Sequence, residues 1–129
     1  MAIDVVNPEG SERLLEQFHF SQAVWCGDVL LCSGQIGVEA DGRVPPTAEA
    51  EFRNAWRAVG AVLGEAGLGF GDLVEYTSYH VGLRAHMREF TKVRDEFLSA
   101  PWPAWTAIGV TELAVLGARV ELRATARRS

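Results

Sequence analysis

The clearest pattern in the sequence is a series of apolar residues at helical spacing in the first half of the chain. It follows Thr47, which can cap a helix, and runs for about five turns to a predicted end near Gly67. The apolar positions share one helical face. They are Phe52, Ala55, Trp56, Val59, Val62 and Leu63. We therefore expect an amphipathic helix with Trp56 in the core.

Strands are predicted where β-branched and aromatic residues cluster or alternate. Two apolar runs at residues 21–26 and 29–33 are separated by Gly-Asp, which predicts a hairpin. Further strands are predicted at residues 73–81, 104–110 and 118–126.

Alternation along two of these strands assigns side chains to opposite faces. In the strand at 73–81, one face carries Val74, Tyr76, Ser78 and His80. We expect His80 to be a hydrogen-bonded structural histidine or, as the alternative, a titratable switch. In the strand at 118–126, one face carries Val120, Leu122 and Ala124, and the other carries Arg119, Glu121 and Arg123.

A second amphipathic helix is predicted at residues 84–98, ended by Pro101 and Pro103. The pattern of residues 11–18 is mixed and predicts neither helix nor strand. The order β-β-α-β-α-β-β indicates one domain over residues 1–129. The expected fold is α+β, a two-layer sandwich in which both helices cover one face of a mixed sheet. The other sheet face is left bare, so we expect self-association to cover it.

Charge and composition exclude several function classes. The net charge is −5, and the chain has no run of basic residues that would neutralise phosphates, so no nucleic-acid partner is expected. We expect no membrane segment and no signal peptide, and hence a cytoplasmic protein. The histidines show no ligand spacing, so no metal is expected. Cys26 and Cys32 are expected to be buried free thiols.

The segment Ser33-Gly34-Gln35-Ile36-Gly37 continues the hairpin and contains two glycines. Glycines inside a strand indicate a bulge, or the close approach of another backbone or a ligand. A simple bend in the strand without any ligand is the alternative.

The chain resembles the RidA/YjgF family from about Phe20 to Ala126. The resemblance rests on Ser33-Gly34-Gln35-Ile36, Asp72-Leu73-Val74, Pro103-Ala104 and Val120-Glu121-Leu122-Arg123-Ala124, together with the order of elements. It implies a chorismate-mutase-like fold and a homotrimer with a small-molecule cleft at each subunit interface. It also implies hydrolysis of reactive imines and enamines, notably 2-aminoacrylate, with no cofactor.

The chain departs from the family where the substrate carboxylate is bound. The family motif Pro-Ala-Arg-Ser reads Pro103-Ala104-Trp105-Thr106 here, so a tryptophan replaces the arginine. Phe20 stands where the family has a tyrosine. The resemblance assigns Glu121 as the catalytic residue that positions or activates water. The other predicted substrate contacts are Trp105, Phe20, Ser33, Gly34, Ala107 and Arg123.

Loss of the arginine disfavours an anionic substrate, because a buried carboxylate without a cation is costly. A cation could instead stack on Trp105 and pair with Glu121. Arg123, two residues past Glu121, could replace the missing cation or form an ion pair with Glu121 or with a neighbouring subunit.

Two hypotheses stay open. The chain is an enzyme that hydrolyses or isomerises a neutral or apolar imine, enamine or carbonyl compound, and not a standard 2-iminobutanoate/2-aminoacrylate deaminase. Alternatively, it is a non-catalytic trimer that senses ligands or protects proteins. The acidic charge argues against the endoribonuclease activity also attributed to this family.

Overall fold

The computed structural model describes residues 3–129, which form one seven-stranded mixed sheet and three α-helices. The strands are β1 (Asp4–Val6), β2 (Ala23–Cys26), β3 (Val29–Cys32), β4 (Gln35–Ile36), β5 (Leu73–His80), β6 (Ala104–Gly109) and β7 (Val120–Arg127). The helices are α1 (Glu12–Phe18), α2 (Ala48–Glu65) and α3 (Leu83–Arg94).

The strand order in the sheet is β1-β2-β3-β7-β5-β6, and β4 also pairs with β7. All pairs are antiparallel except β5 with β6, which are parallel and joined by α3. A parallel pair requires such a crossover, because its second strand must start again at the same end of the sheet. The predicted α+β sandwich with a mixed sheet is confirmed.

Helix α2 supplies the centre of the core. The Thr47 hydroxyl accepts a hydrogen bond from the Ala50 N–H at 3.2 Å, as its predicted role in capping requires. All six residues of the predicted apolar stripe are buried. The indole of Trp56 is fully buried and packs edge-to-face on Tyr76 of β5, with ring centroids 5.0 Å apart. The period of 3.6 residues therefore identified this face correctly.

Helix α1 and strand β1 were not predicted, and the predicted continuation of the hairpin through residues 33–37 is a separate strand, β4, which pairs with β7. Helix α1 buries none of its residues, so its sequence carries no periodic apolar stripe. Strands β1 and β4 are only three and two residues long, too short for alternation to be visible.

The predicted faces need two corrections. In β5, a β-bulge between Leu73 and Glu75 puts Leu73 on the buried face and leaves Val74 exposed. The extra residue of a bulge shifts the alternation by one position. Arg119 precedes β7, and its guanidinium reaches the fully buried Glu51 of α2 at 2.8 Å rather than sharing the face of Glu121.

The prediction for the end of the second helix was also wrong. Helix α3 ends at Arg94, before either proline, because the N–H groups of Glu96 and Phe97 bond three residues back, to Val93 and Arg94. This tighter turn lets Leu98 enter the core.

Both cysteines are free, as expected. Cys32 is buried and Cys26, at the hairpin turn, is exposed, so only one thiol matches the expected burial. Burial raises the pKa of the Cys32 thiol to about 11. Over residues 3–129, each helix is too short or too polar to cross a lipid bilayer.

Candidate functional site

The carboxylate of Glu121 lies against Gly34. Glu121 follows the first residue of β7, and its neighbours Val120 and Leu122 are fully buried towards the helices, so its own side chain faces away from them. A Cβ added to Gly34 would lie 2.6 Å from the Glu121 carboxyl carbon. The glycine thus makes room for a side chain, rather than for the backbone or ligand that the sequence predicted.

Glu121 is half-buried, and burial raises the pKa of its carboxyl group. Within residues 3–129, its carboxylate takes part in no hydrogen bond or ion pair. A desolvated carboxylate that lacks a cation is a stronger base than one in water. A carboxylate in this state can accept a proton or orient a water molecule.

Ser33 and Gly34 are held by the segment that follows Phe20. The Ser33 hydroxyl donates to the Ser21 carbonyl at 2.7 Å, and the Ser33 N–H donates to the Gln22 carbonyl at 2.8 Å. The Gln35 amide donates to the Gln22 side chain at 2.9 Å. These bonds place Ser33 and Gly34 beside the segment of Phe20, whose ring is 38% exposed.

Gly37, the second glycine of this segment, is needed for a different reason than Gly34. A Cβ there would collide with the backbone carbonyl oxygen of Glu51 in α2. Gly37 therefore allows close packing of the helix on the sheet, as one of the sequence alternatives proposed.

Trp105 faces the opposite side of the sheet from Glu121. Its indole N–H donates to the Ser78 hydroxyl at 2.8 Å, and its ring stacks on Tyr76 with centroids 5.8 Å apart. The ring also lies 5.9 Å from Phe90 of α3. Ala107, two residues along β6, shares this half-buried side. Within one chain, a ligand on Trp105 therefore does not reach Glu121.

Arg123 is on the exposed side of β7, paired in register with Thr77 of β5. In the described part of the chain it forms no ion pair with Glu121 or with any other residue. The structure thus places Gly34 against Glu121 and Ser33 beside the segment that follows Phe20, and leaves Trp105 and Ala107 on the other side of the sheet.

Arg94 was not predicted as a site residue. Its guanidinium carbon lies 5.2 Å from the centroid of the Trp105 ring. The signal in the sequence was its spacing: Arg94 lies four residues after Phe90 and one after Val93, the two residues that α3 buries in the core. A cation thus lies next to Trp105, on α3 and not at position 105 or 123.

His80 is a structural histidine. It is 1% exposed, and its Nε2 lies 2.7 Å from the Ser78 hydroxyl oxygen. Burial lowers the pKa of His80 to about 4, with a smaller contribution from His86. The alternative of a switch near neutral pH is therefore disfavoured. In residues 3–129, no three His, Cys, Asp or Glu side chains are grouped to hold a metal ion.

Comparison with known proteins identifies relatives over most of the chain. The family model described as endoribonuclease L-PSP matches residues 11–128. The RutC family protein YjgH of Escherichia coli (strain K12) is 37% identical over 123 residues, covering 95% of this chain and 92% of that protein. A 2-iminobutanoate/2-iminopropanoate deaminase of Dermatophagoides farinae is 32% identical over 108 residues, covering 80% of each chain. A solved structure of protein YJGH superposes with a TM-score of 0.89 at 34% identity, covering 98% of this chain and 97% of that one.

Proposed function

This chain belongs to the endoribonuclease L-PSP (RidA/YjgF) family, and on that basis we propose that it is a cytoplasmic homotrimer with a small-molecule pocket at each subunit interface. The separation of Glu121 from Trp105 and Ala107 supports this proposal. A pocket that includes both groups requires two copies of the chain, one contributing each side. The sheet face that α2 and α3 leave uncovered offers the surface for such contacts.

In this pocket, Glu121 acts as the base. It accepts a proton from a water molecule as the water oxygen attacks the carbon of a C=N bond, and it passes this proton to the nitrogen to give a carbinolamine. It then takes the hydroxyl proton of the carbinolamine and delivers it to the nitrogen, so that the C–N bond breaks, ammonia leaves and the C=O bond forms. The raised pKa of Glu121 brings its basicity closer to that of a group working near neutral pH. Contacts from Phe20, Ser33, Gly34, Ala107 and Arg123 complete the pocket.

The substrate is a neutral or apolar imine, enamine or carbonyl compound. The deaminase relative is named for substrates that carry a carboxylate, but this chain has Trp105 where the family has the carboxylate-binding arginine. The indole carries no charge, and the Arg94 cation beside it lies on the helix-facing side of the sheet, away from Glu121 of the same chain. The carboxylate of Glu121 would also repel one.

The test compares two imines released in solution by oxidases. A flavin amine oxidase acting on benzylamine gives an imine without a carboxylate, and an L-amino-acid oxidase acting on L-leucine gives a 2-imino acid. We expect the protein to accelerate ammonia release from the first and to have little effect on the second. Glu121→Gln should reduce the acceleration by about 100-fold or more.

The matched control is Glu75→Gln, which removes a carboxylate from the same exposed side of the sheet. Its rate should equal that of the unmodified protein. Equal losses in the two variants, or full activity of Glu121→Gln, would remove Glu121 from the mechanism.

A non-catalytic trimer that senses ligands or protects proteins is the second candidate. The observation that favours it is the position of Trp105, whose N–H and ring are both engaged in internal contacts. In that case neither imine would be hydrolysed faster than in buffer, while Glu121→Gln would still alter the binding of small carbonyl compounds.

A further inference from the structure

A cleft lies between the end of α3 and the start of β6, on the side of the sheet that faces the helices. Its volume is about 230 Å³. It is lined by Tyr76, Arg94, Leu98, Trp102, Pro103 and Trp105, and we refer to it as the Arg94 cleft. Of these residues, only Trp105 belongs to the predicted intersubunit pocket.

The guanidinium of Arg94 is the one charged group in the lining of this cleft. Its central carbon lies 5.6 Å from the Trp102 ring centroid and 5.2 Å from that of Trp105, so both indoles contact the cation through their faces. The Arg94 side chain is only 19% exposed. A planar cation in this position is oriented before any ligand arrives.

Arg94 keeps hydrogen-bonding capacity after its contacts within the chain. Asp95 Oδ1 accepts the Nε–H at 2.9 Å and lies 2.9 Å from Nη2, and the Tyr76 hydroxyl engages one further N–H, so two of the five guanidinium N–H donors remain. Asp95 is 54% exposed, so water weakens its hold on the more buried arginine. The Tyr76 hydroxyl lies near the same guanidinium, which opposes the rise in the pKa of Tyr76 that burial causes.

We propose that the Arg94 cleft binds a small planar aromatic carboxylate, at a place that shares only Trp105 with the proposed intersubunit pocket and does not include Glu121. The carboxylate accepts N–H groups of Arg94, whose planar fork matches two carboxylate oxygens. The aromatic ring lies against Trp102 and Pro103. This binding goes beyond the proposed function, because it requires neither Glu121 nor hydrolysis.

The size and rigidity of the cleft agree with a single aromatic ring. An engineered apolar cavity of about 150 Å³ in another protein binds benzene. The Arg94 cleft adds room for a carboxylate. Its rear wall is fixed, because Ser78 holds the Trp105 indole and Trp56 packs on Tyr76. A preformed wall lowers the ordering cost of binding.

The probe for this site is 4-fluorobenzoate, titrated into the ¹⁵N-labelled full-length protein and followed by ¹⁹F and ¹H–¹⁵N NMR. The chain has four tryptophans, whose indole N–H signals report on separate places. We expect saturable shifts at Trp102 and Trp105 and none at Trp25 and Trp56. The neutral analogue 4-fluorobenzamide should bind about tenfold more weakly or worse.

Arg94→Gln should weaken binding of 4-fluorobenzoate by about tenfold or more. The matched control is Lys92→Gln, which removes one positive charge from the exposed side of the same helix and should leave the affinity unchanged. Trp102→Ala should weaken binding by about fivefold. Because Trp102 is 56% exposed, we expect the Trp102→Ala variant to fold. If Arg94→Gln is unstable, the affinity of Trp102→Ala for 4-fluorobenzoate tests the cleft instead.

Three results would overturn the proposal. One is the absence of saturable binding at millimolar 4-fluorobenzoate. Another is an equal affinity for 4-fluorobenzoate and 4-fluorobenzamide. The third is an equal effect of Arg94→Gln and Lys92→Gln, which would reduce the interaction to general attraction between charges.

Discussion

On the side of the sheet that faces α2 and α3, Ser78, Trp105 and Glu51 all have hydrogen-bond partners within the chain. On the other side, the half-buried carboxylate of Glu121 has no such partner among residues 3–129. These three groups help to hold the fold together, although Trp56 Nε1 and His80 Nδ1 on the same side are buried without a partner among the described residues. The second side carries a half-buried carboxylate that forms none of these bonds, and this difference is the basis on which we propose Glu121 as a functional residue.

Gly37 and Gly34, only three residues apart, show the same difference. Neither position has room for a side chain: a Cβ at Gly37 would meet the backbone of α2, and a Cβ at Gly34 would meet the Glu121 carboxylate. Substitutions on the helix-facing side should therefore lower stability, whereas substitutions beside Glu121 should lower activity. The predictions below run from the largest expected loss of stability to the smallest.

Gly37→Ala should lower the free energy of unfolding by about 3 kcal/mol or more, because its Cβ would collide with the Glu51 carbonyl and push α2 off the sheet. Urea denaturation followed by circular dichroism measures this loss. Gly64→Ala is the control, because Gly64 lies within α2 itself and has open space around an added Cβ. If Gly37→Ala lowers the free energy of unfolding by less than about 1 kcal/mol, then α2 can move away from the added Cβ at little cost, which contradicts the prediction.

His80 should make the protein less stable in mild acid. Its pKa is lowered by burial to about 4, whereas an unfolded histidine has a pKa of about 6.5. As the pH falls below that higher value, the unfolded chain binds a proton and the folded chain does not. This difference should reduce the unfolding free energy by about 2 kcal/mol between roughly pH 7.5 and pH 5.

The measurement is a set of urea denaturations across this pH range. Below the folded pKa of about 4 the histidine contributes no further loss. His80→Gln should remove this part of the pH dependence while the Ser78 hydroxyl keeps a polar neighbour. If the variant and the unmodified protein show the same slope, then His80 is charged in the folded state.

Trp105→Phe should cost about 1 kcal/mol, because it removes the N–H bond to Ser78 and leaves the aromatic stack on Tyr76 in place. Thermal unfolding by calorimetry reports this change. Trp102→Phe, at an exposed position, serves as the control and should have almost no effect on stability. Equal melting temperatures of Trp105→Phe and the unmodified protein would contradict the assigned role of this hydrogen bond.

Gly34→Ala should have the smallest effect on stability, below about 1 kcal/mol, because the Glu121 side chain that it meets can swing away. The hydrolysis of a neutral imine should nevertheless drop by about tenfold or more, since the base is displaced. Calorimetry and the ammonia-release assay give the two values. A loss of stability without loss of hydrolysis would reverse the contrast between Gly34 and Gly37.

The sequence predicted the structure best in the elements whose buried residues recur at a regular spacing. The stripe of α2, its Thr47 cap and the hairpin of β2 and β3 follow directly from period and turn chemistry. The bulge at Val74 was not visible, because one additional residue in a strand leaves no local signal. Helix α1 was missed since it buries no side chain.

The residues of the candidate site stay predictions. Gly34 does allow a close approach at the Ser-Gly-Gln segment, but the group that approaches is the Glu121 side chain rather than a backbone or a ligand. The direction of Trp105 was beyond the sequence, because β6 carries apolar residues on both faces and alternation does not choose between them. Arg94 was missed because its significance comes from the two indoles around it, which are distant in the chain or in a loop.

The central claim is that Glu121 and Trp105 meet only between copies of the chain. Sedimentation equilibrium at the protein concentration of the imine assay tests it most directly. The account predicts a single species with three times the mass of the chain. A monomer that still accelerates the hydrolysis of the neutral imine would contradict it.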